Sequence, residues 1–191
     1  KTPEVTSSKA VLSADISVIN ETNHNVNVKV ISTLKYGNET VAKATRKVTL
    51  GSREENTVNQ LFDVLNPRLW SVDDPSLYSL VTELRGRELL DNTVTMVGFR
   101  DLKFDPDKGF FLNGKNLKLK GICMHHDAGT LGSAVPEKEI AYRLDILKEM
   151  GCNAIRTSHN PFAPEFLDLC DSIGFLVIGE AFDEWELPKK K

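Results

Sequence analysis

The stretch PEKEIAYRLDILKEMGCNAIRTSHNPFAPEFLDLCDSIGFLVIG, residues 136–179, decides the fold. It holds two segments of helical period, each closed by a glycine and each followed by a short apolar run. In the first, Ile140, Leu144, Leu147 and Met150 recur at helical spacing and form an apolar stripe. Pro136 suits the first turn, Glu137 and Glu139 sit at the positive end of the helix dipole, and Gly151 can take the left-handed stop. The second helix, over APEFLDLCDSIG, turns Phe166, Leu167, Cys170 and Ile173 inward. NAIR (Asn153–Arg156) and FLVIG (Phe175–Gly179) read as strands, the latter apolar throughout as a doubly covered parallel strand should be. Upstream, ICMHHD (Ile122–Asp127) reads as a mostly buried strand, and GFFLNGKNLKLKG as a hairpin turning at Asn113-Gly114. The order strand, helix, strand, helix, strand predicts right-handed crossovers and a parallel sheet.

In such sheets chemistry gathers beyond the carboxyl ends of the strands. Those ends carry His125-His126-Asp127, then Arg156-Thr157-Ser158-His159-Asn160, then Glu180 to Trp185. Every polar cluster of this half falls on one rim, where a buried strand has no packing need of it. A metal site at His125, His126 and His159 lacks any compact ligand spacing, so a hydrogen-bonding role is favoured. Adjacent His125 and His126 point to opposite sides of a strand, so at most one faces inward. Arg156 reads equally as an ion-pair anchor for Glu180 or as a substrate contact, whereas His159 on a strand-end loop reads as functional. A retaining glycosidase needs two carboxyl groups about 5–5.5 Å apart, flanking the scissile bond. Glu180, Asp183 and Glu184 approach from one side, which suits a floor or positioning role better than acid and nucleophile together.

Residues 1–100 have a different rhythm. Ala10, Leu12, Ala14, Ile16 and Val18 alternate with polar residues, as do Val26, Val28 and Val30, which is the period of half-buried strands. The short polar link ETNHN between them reads as a hairpin connection. Further strands near Val41–Leu50, Asn56–Val64, Leu77–Leu84 and Asn92–Val97 complete roughly seven, suggesting an immunoglobulin-like two-sheet sandwich. With no cysteine in residues 1–100, an inter-sheet disulfide is excluded. WSVDDPSLY (Trp70–Tyr78) breaks the pattern and reads as a loop whose Trp70 packs on the sandwich edge.

The chain has 191 residues, 40% hydrophobic and 27% charged, with formal net charge −3. That is ordinary for a folded chain and supplies no basic field for nucleic acid or anionic lipid. No apolar run approaches the roughly 20 residues of a membrane helix, so no membrane partner is expected. The start KTPEVTSSKA lacks a signal core and a Met, and reads as a chain cut from something longer. Cys123, Cys152 and Cys170 lie in apolar segments and read as small buried thiols.

RTSHNPFAPEFLDLCDSIGFLVIGEAFDEW, preceded by KGICMHHDAGTLGSAVPEKE and GFRDLKFDPDKGFFLNGKNLKLKG, closely resembles glycoside hydrolase family 2, and within it the β-galactosidase type. The resemblance implies an all-β immunoglobulin-like sandwich over 1–100. It implies the first three strands of a parallel (β/α)8 barrel over 101–191. It further implies a retaining exo-β-glycosidase hydrolysing terminal β-D-galactosides, whose general acid and nucleophile lie on later strands, beyond residue 191. This chain alone is then inactive. The resemblance assigns Arg156, His159 and Asn160 of RTSHN, His126 and Asp127 of the first strand, and Glu180 and Trp185 of the third, to substrate binding. Gly179 departs from the Asp that the family often has before this Glu. β-Glucuronidase and β-mannosidase are alternatives within the family, although EAFDEW leans towards galactosidase. A non-catalytic carbohydrate-binding or interaction module is the alternative outside it. No cofactor is implied in this segment, and any metal of a full-length enzyme is unknown. The partner is a β-galactoside or oligosaccharide, and family habit points to a periplasmic or secreted location. Open strand edges, with Ile155 and Val177 or their neighbours meeting water, predict self-association through 101–191.

Overall fold

The computed structural model describes residues 1–183. The chain divides into two compact units, Lys1–Leu69 with Ser76–Asp101, and Trp70–Pro75 with Leu102 onward.

The first unit contains β1 (Glu4–Val5), β2 (Lys9–Ile19), β3 (Val26–Tyr36), β4 (Glu39–Leu50), β5 (Glu55–Leu65), β6 (Tyr78–Arg85) and β7 (Leu89–Val97). They form two antiparallel sheets, β1-β2-β5 and β4-β3-β6-β7. The period-two pattern explains the sandwich. Ala10, Leu12, Phe62 and Val64 of one sheet meet Leu34, Tyr78 and Leu80 of the other in a shared core, while Asp15, Ser17 and Ile19 alternate outward. One link differs from the sequence reading. ETNHN is not a hairpin, because β2 pairs with β5, and β3 with β4 and β6. The link passes from sheet to sheet, and the buried Asn20 supplies the hydrogen bonds that a hairpin ladder would have made. Its amide donates to His24 O at 2.8 Å and Gly51 O at 2.6 Å. Its carbonyl accepts from the Thr22 N–H at 3.0 Å and the Thr22 hydroxyl at 2.7 Å.

The second unit begins with a meander of β8 (Leu102–Asp105), β9 (Gly109–Leu112) and β10 (Lys115–Asn116). Asn113 and Gly114 both take positive φ, 52° and 76°, the backbone that a two-residue hairpin turn requires. Then follow β11 (Gly121–Met124), α1 (Glu137–Glu149), β12 (Ala154–Thr157), α2 (Pro164–Ile173) and β13 (Leu176–Ile178). The sheet order is β11-β12-β13, parallel throughout. Leu144, Leu147, Phe166 and Cys170 of the helices pack on Ile155, with Ile122 and Val177 against the same core. These three strand residues share one register row. The next row, Cys123–Arg156–Ile178, therefore faces away from the helices.

That alternation corrects several readings. Of Ile155 and Val177 or their neighbours, it is a neighbour that meets water: Ile155 is 1% exposed and Ile178, next to Val177, is 55% exposed. Away from the helices FLVIG is covered at Leu176, 8% exposed, but open at Ile178. Cys123 is exposed rather than buried. The strand in ICMHHD stops at Met124, so both histidines lie beyond it. Met150 and Leu167 point outward at 70% and 45% exposure, each at the margin of its helix stripe.

Trp70 belongs to the second unit, not to the sandwich edge. It is buried, and its indole N–H donates to Asp171 O at 2.7 Å, at the end of α2. The Asn113 amide holds Trp70 O at 2.9 Å. The Lys148 ammonium donates to Val72 O at 2.6 Å and Gly174 O at 2.9 Å. Burial pushes its pKa down, with Asp73 opposing. Gly174 has φ 92°, and a Cβ there would stand 2.5 Å from Val72 O, so only glycine closes α2 beside this segment. Sequence reading assigned Trp70 by chain position, yet the acceptor for its N–H lies 101 residues ahead.

Two stability effects follow. Asn20→Ala takes the donor from the His24 and Gly51 carbonyls and is expected to lower unfolding free energy by about 1–2 kcal/mol in urea titration. Trp70→Phe removes the indole N–H and half of a fully buried bicyclic ring. An expected cost of about 2–3 kcal/mol is read as faster amide exchange at the end of α2, with the sandwich amides unchanged.

Candidate functional site

β11, β12 and β13 end side by side, and their extensions share one rim. Arg156 projects from β12 on the face free of helices. Beyond β13 the Glu180 N–H donates to Thr157 Oγ1 at 2.9 Å, which sets its carboxylate between two basic side chains. Oε1 accepts from Arg156 Nε at 2.6 Å and also from its Nη2. Oε2 lies 2.9 Å from His159 Nδ1, and Asp183 Oδ1 lies 3.6 Å from the same nitrogen. The His125 ring meets His159 edge-on at 5.6 Å between centroids. Arg156, His159, Glu180 and Asp183, with Gly179 and Phe182, line an open cavity of about 560 Å³. Desolvation alone would raise the Glu180 pKa. Hydrogen bonds from His159 and Arg156, with their charges, outweigh it and hold the carboxyl below its ordinary value. Glu180 is thus an ionised acceptor that orients its neighbours, with no proton to give.

The other expected residues form a second group. The Asn160 amide nitrogen stands 3.3 Å from His126 Nδ1, with the ring nitrogen as acceptor. The His126 ring packs 5.6 Å from Phe162 in a crevice it shares with Ile140 and Phe166. Asp127 is exposed, and its carbonyl accepts from Arg143 Nη1 at 2.5 Å, while Arg143 Nε binds Glu139 Oε1 at 2.9 Å. The structure therefore joins Arg156, His159 and Glu180, and adds Asp183 and His125 to them. It places His126, Asn160 and Asp127 beside them, towards α1 and α2. Trp185 and Glu184 lie outside the described residues. Sequence reading gave His125 a hydrogen-bonding role at most and left it out of the expected substrate contacts, and the structure sets its ring against His159. Sequence reading left Cys123 among the buried thiols, although the register with Arg156 marks it as a neighbour. Among the described residues, no group of three or more His, Cys, Asp or Glu side chains is placed to hold a metal ion.

A β-sandwich followed by βαβαβ, with polar strand ends gathered on one rim, is the arrangement of a sandwich set ahead of the start of a parallel barrel. Residues 1–100 match the model for glycosyl hydrolases family 2, and residues 106–185 that for the family 2 TIM barrel domain. The chain belongs to glycosyl hydrolase family 2. It is 47% identical over its whole length to β-galactosidase BoGH2A of Bacteroides ovatus, of which it covers 22%. It is 38% identical over 97% of its length to a putative β-glucuronidase of Formosa agariphila, covering 17% of that protein. A family 2 member from Bacteroides cellulosilyticus superposes with TM-score 0.92 at 37% identity, over all of this chain and 25% of the other. The β-glucuronidase of Bacteroides uniformis superposes with TM-score 0.94 at 33% identity, over all of this chain and 23% of that one. The chain thus spans about a fifth of the length of the curated relatives it matches. β11, β12 and β13 are the opening strands of the family barrel, and its strand-end rim is the face that carries chemistry.

Because the Glu180 pKa is lowered on folding, its contribution to stability is present above the ordinary carboxylate range. It is lost as pH falls through the lowered value. Melting temperatures measured from neutral pH down to about pH 3 should fall less steeply for Glu180→Gln than for the wild-type chain. The difference is expected to be small for so exposed a pair, and parallel curves would show that the bridge contributes nothing measurable to stability.

Proposed function

We propose that this chain forms one wall of the sugar subsite of a retaining exo-β-glycosidase acting on terminal β-D-galactosides. The observation that carries this reading is the Glu180 bridge. Both basic side chains lining the pocket, Arg156 and His159, already lie against carboxylates. Among the described residues the pocket then presents ionised oxygens and N–H groups to hydroxyls, rather than an unengaged cation to a uronate. The whole-length identity to a β-galactosidase supports the same choice. The β-glucuronidases among its relatives favour a second reading, in which a cation from elsewhere meets a substrate carboxylate.

In this proposal Arg156 and Glu180 set the floor of the subsite, and His159 hydrogen-bonds a sugar hydroxyl. The general acid and nucleophile come from barrel strands beyond residue 191. Glu180 and Asp183 share one histidine nitrogen, an arrangement that leaves no room for a glycosidic bond between them.

The 191-residue chain alone is expected to give no turnover of a chromogenic β-galactoside, and turnover by it would overturn the placement of the catalytic carboxylates. Carried in a complete barrel, the same residues should hydrolyse the β-galactoside in preference to the matching β-glucuronide and β-mannoside. There, His159→Ala is expected to lower kcat/KM by roughly 10²-fold or more, the scale of losing a group whose contacts tighten in the transition state. A preference for the glucuronide would favour the second reading instead.

A further inference from the structure

The strand β2 is paired along the whole of one edge and along little of the other. On one side β5 accompanies it from Lys9 opposite Leu65 to Ile19 opposite Glu55. On the other, β1 reaches only Ala10 and Val11. One further rung follows. The Lys1 amine donates to Ser13 O at 2.8 Å, and the Ser13 N–H donates to Lys1 O at 2.8 Å. Thr2 and Pro3 together stand opposite Leu12, a bulge between the two pieces of ladder. Backbone groups of alternate residues share an edge, so the N–H and C=O of Asp15, Ser17 and Ile19 point the same way as those of Ser13. Among the described residues, no strand pairs with β2 there. Beside this edge the two sheets part. Two cavities, of about 330 and 660 Å³, lie between β2 and β7, and Ile16, Ser17, Thr82 and Thr93 line both. A long unpaired edge of this kind is a template for another strand.

We propose that the Asp15–Ile19 edge of β2 is the acceptor for an extended polypeptide strand joined to the amine of Lys1, which runs antiparallel to β2 and closes the gap between the sheets. Continuity with the Lys1–Ser13 rung selects this occupant. The Lys1 nitrogen already directs a hydrogen at Ser13 O, as a peptide N–H would. A strand joined to Lys1 also avoids the entropy cost of association that a peptide or a second copy from solution would bear. The curated relatives are about five times the length of this chain, which is polypeptide enough to supply the strand. The register then sets the chemistry of the occupant. The second, fourth and sixth residues ahead of Lys1 fall opposite Asp15, Ser17 and Ile19 and face solvent with them. The first, third and fifth fall opposite Ala14, Ile16 and Val18 and point into the gap, where apolar side chains extend the core of Val18, Val28 and Val30. The acceptor role is independent of which sugar the rim binds.

The 191-residue chain is compared with one that carries the six residues Thr-Val-Thr-Val-Thr-Val ahead of Lys1, by amide hydrogen exchange read residue by residue. The extension is expected to slow exchange at Asp15 and Ser17 by about tenfold or more, and by more than at Ala14, Ile16 and Val18, which are already bonded to β5. The same composition in the order Val-Thr-Val-Thr-Val-Thr turns the valines to solvent and should give little slowing. No slowing with the first extension overturns the proposal, as does equal slowing with both orders. Slowing in β7 instead of β2 assigns the strand to the other edge and also overturns it. If the unattached hexapeptide protects Asp15 and Ser17 as well as the joined one, the occupant comes from solution. If protection in the unextended chain rises with concentration, a second copy covers the edge. Either result sinks the proposal.

Discussion

A parallel strand offers its side chains to two faces in turn, and in β11, β12 and β13 that alternation sets everything else. Ile122, Ile155 and Val177 fall in one row beneath the helices. Cys123, Arg156 and Ile178 fall in the next, on the opposite side. A slip of one residue in any strand would exchange the rows, driving a guanidinium into an apolar core and an isoleucine into the cavity. The helices fix the register through the buried row. The site inherits its geometry from the other row at no separate cost in sequence.

Glu180 then decides what the exposed row can do. A carboxylate with both oxygens engaged has little freedom to turn, and the lowered pKa keeps it ionised across the neutral range. Arg156 and His159 gain fixed orientation from it, and its charge offsets that of the Arg156 guanidinium. A neutral polyol needs this kind of surface, one of directed donors and acceptors with little long-range field. Exposed ion pairs add little to stability, so the bridge is better understood as an orienting device than as a brace for the fold.

Much of this was legible in the sequence, for a physical reason. Helical and strand periods, the glycine stops and the Asn113-Gly114 turn are local properties, and each lies near where it was expected. The convergence of Arg156, His159 and Glu180 was legible because parallel strands bring their carboxyl ends together. What was not legible depended on distant partners. The ETNHN link has the composition of a hairpin, and only the pairing of β2 with β5 shows that it crosses between sheets. Nothing local in the sequence marks Asn20 for its four hydrogen bonds. The exposure of Ile178 and Cys123 depends on which face the helices cover, and an apolar run does not state that. His125 and His126 were assigned by strand parity, but the strand ends before both.

The segment Trp70–Pro75 has a consequence for how such chains can be recombined. A sequence-based boundary near residue 100 looks like a clean seam, and a shuffled gene joined there would keep every strand and helix of both halves. It would still separate Trp70 from Asp171, and Val72 from Lys148 and Gly174. These contacts are matched in size and backbone shape on both sides of the seam, down to a glycine that tolerates no Cβ. Residues 70–75 are therefore heritable with the second unit rather than with the strands that flank them, and substitutions at residue 174 are constrained by a residue about a hundred positions earlier in the chain.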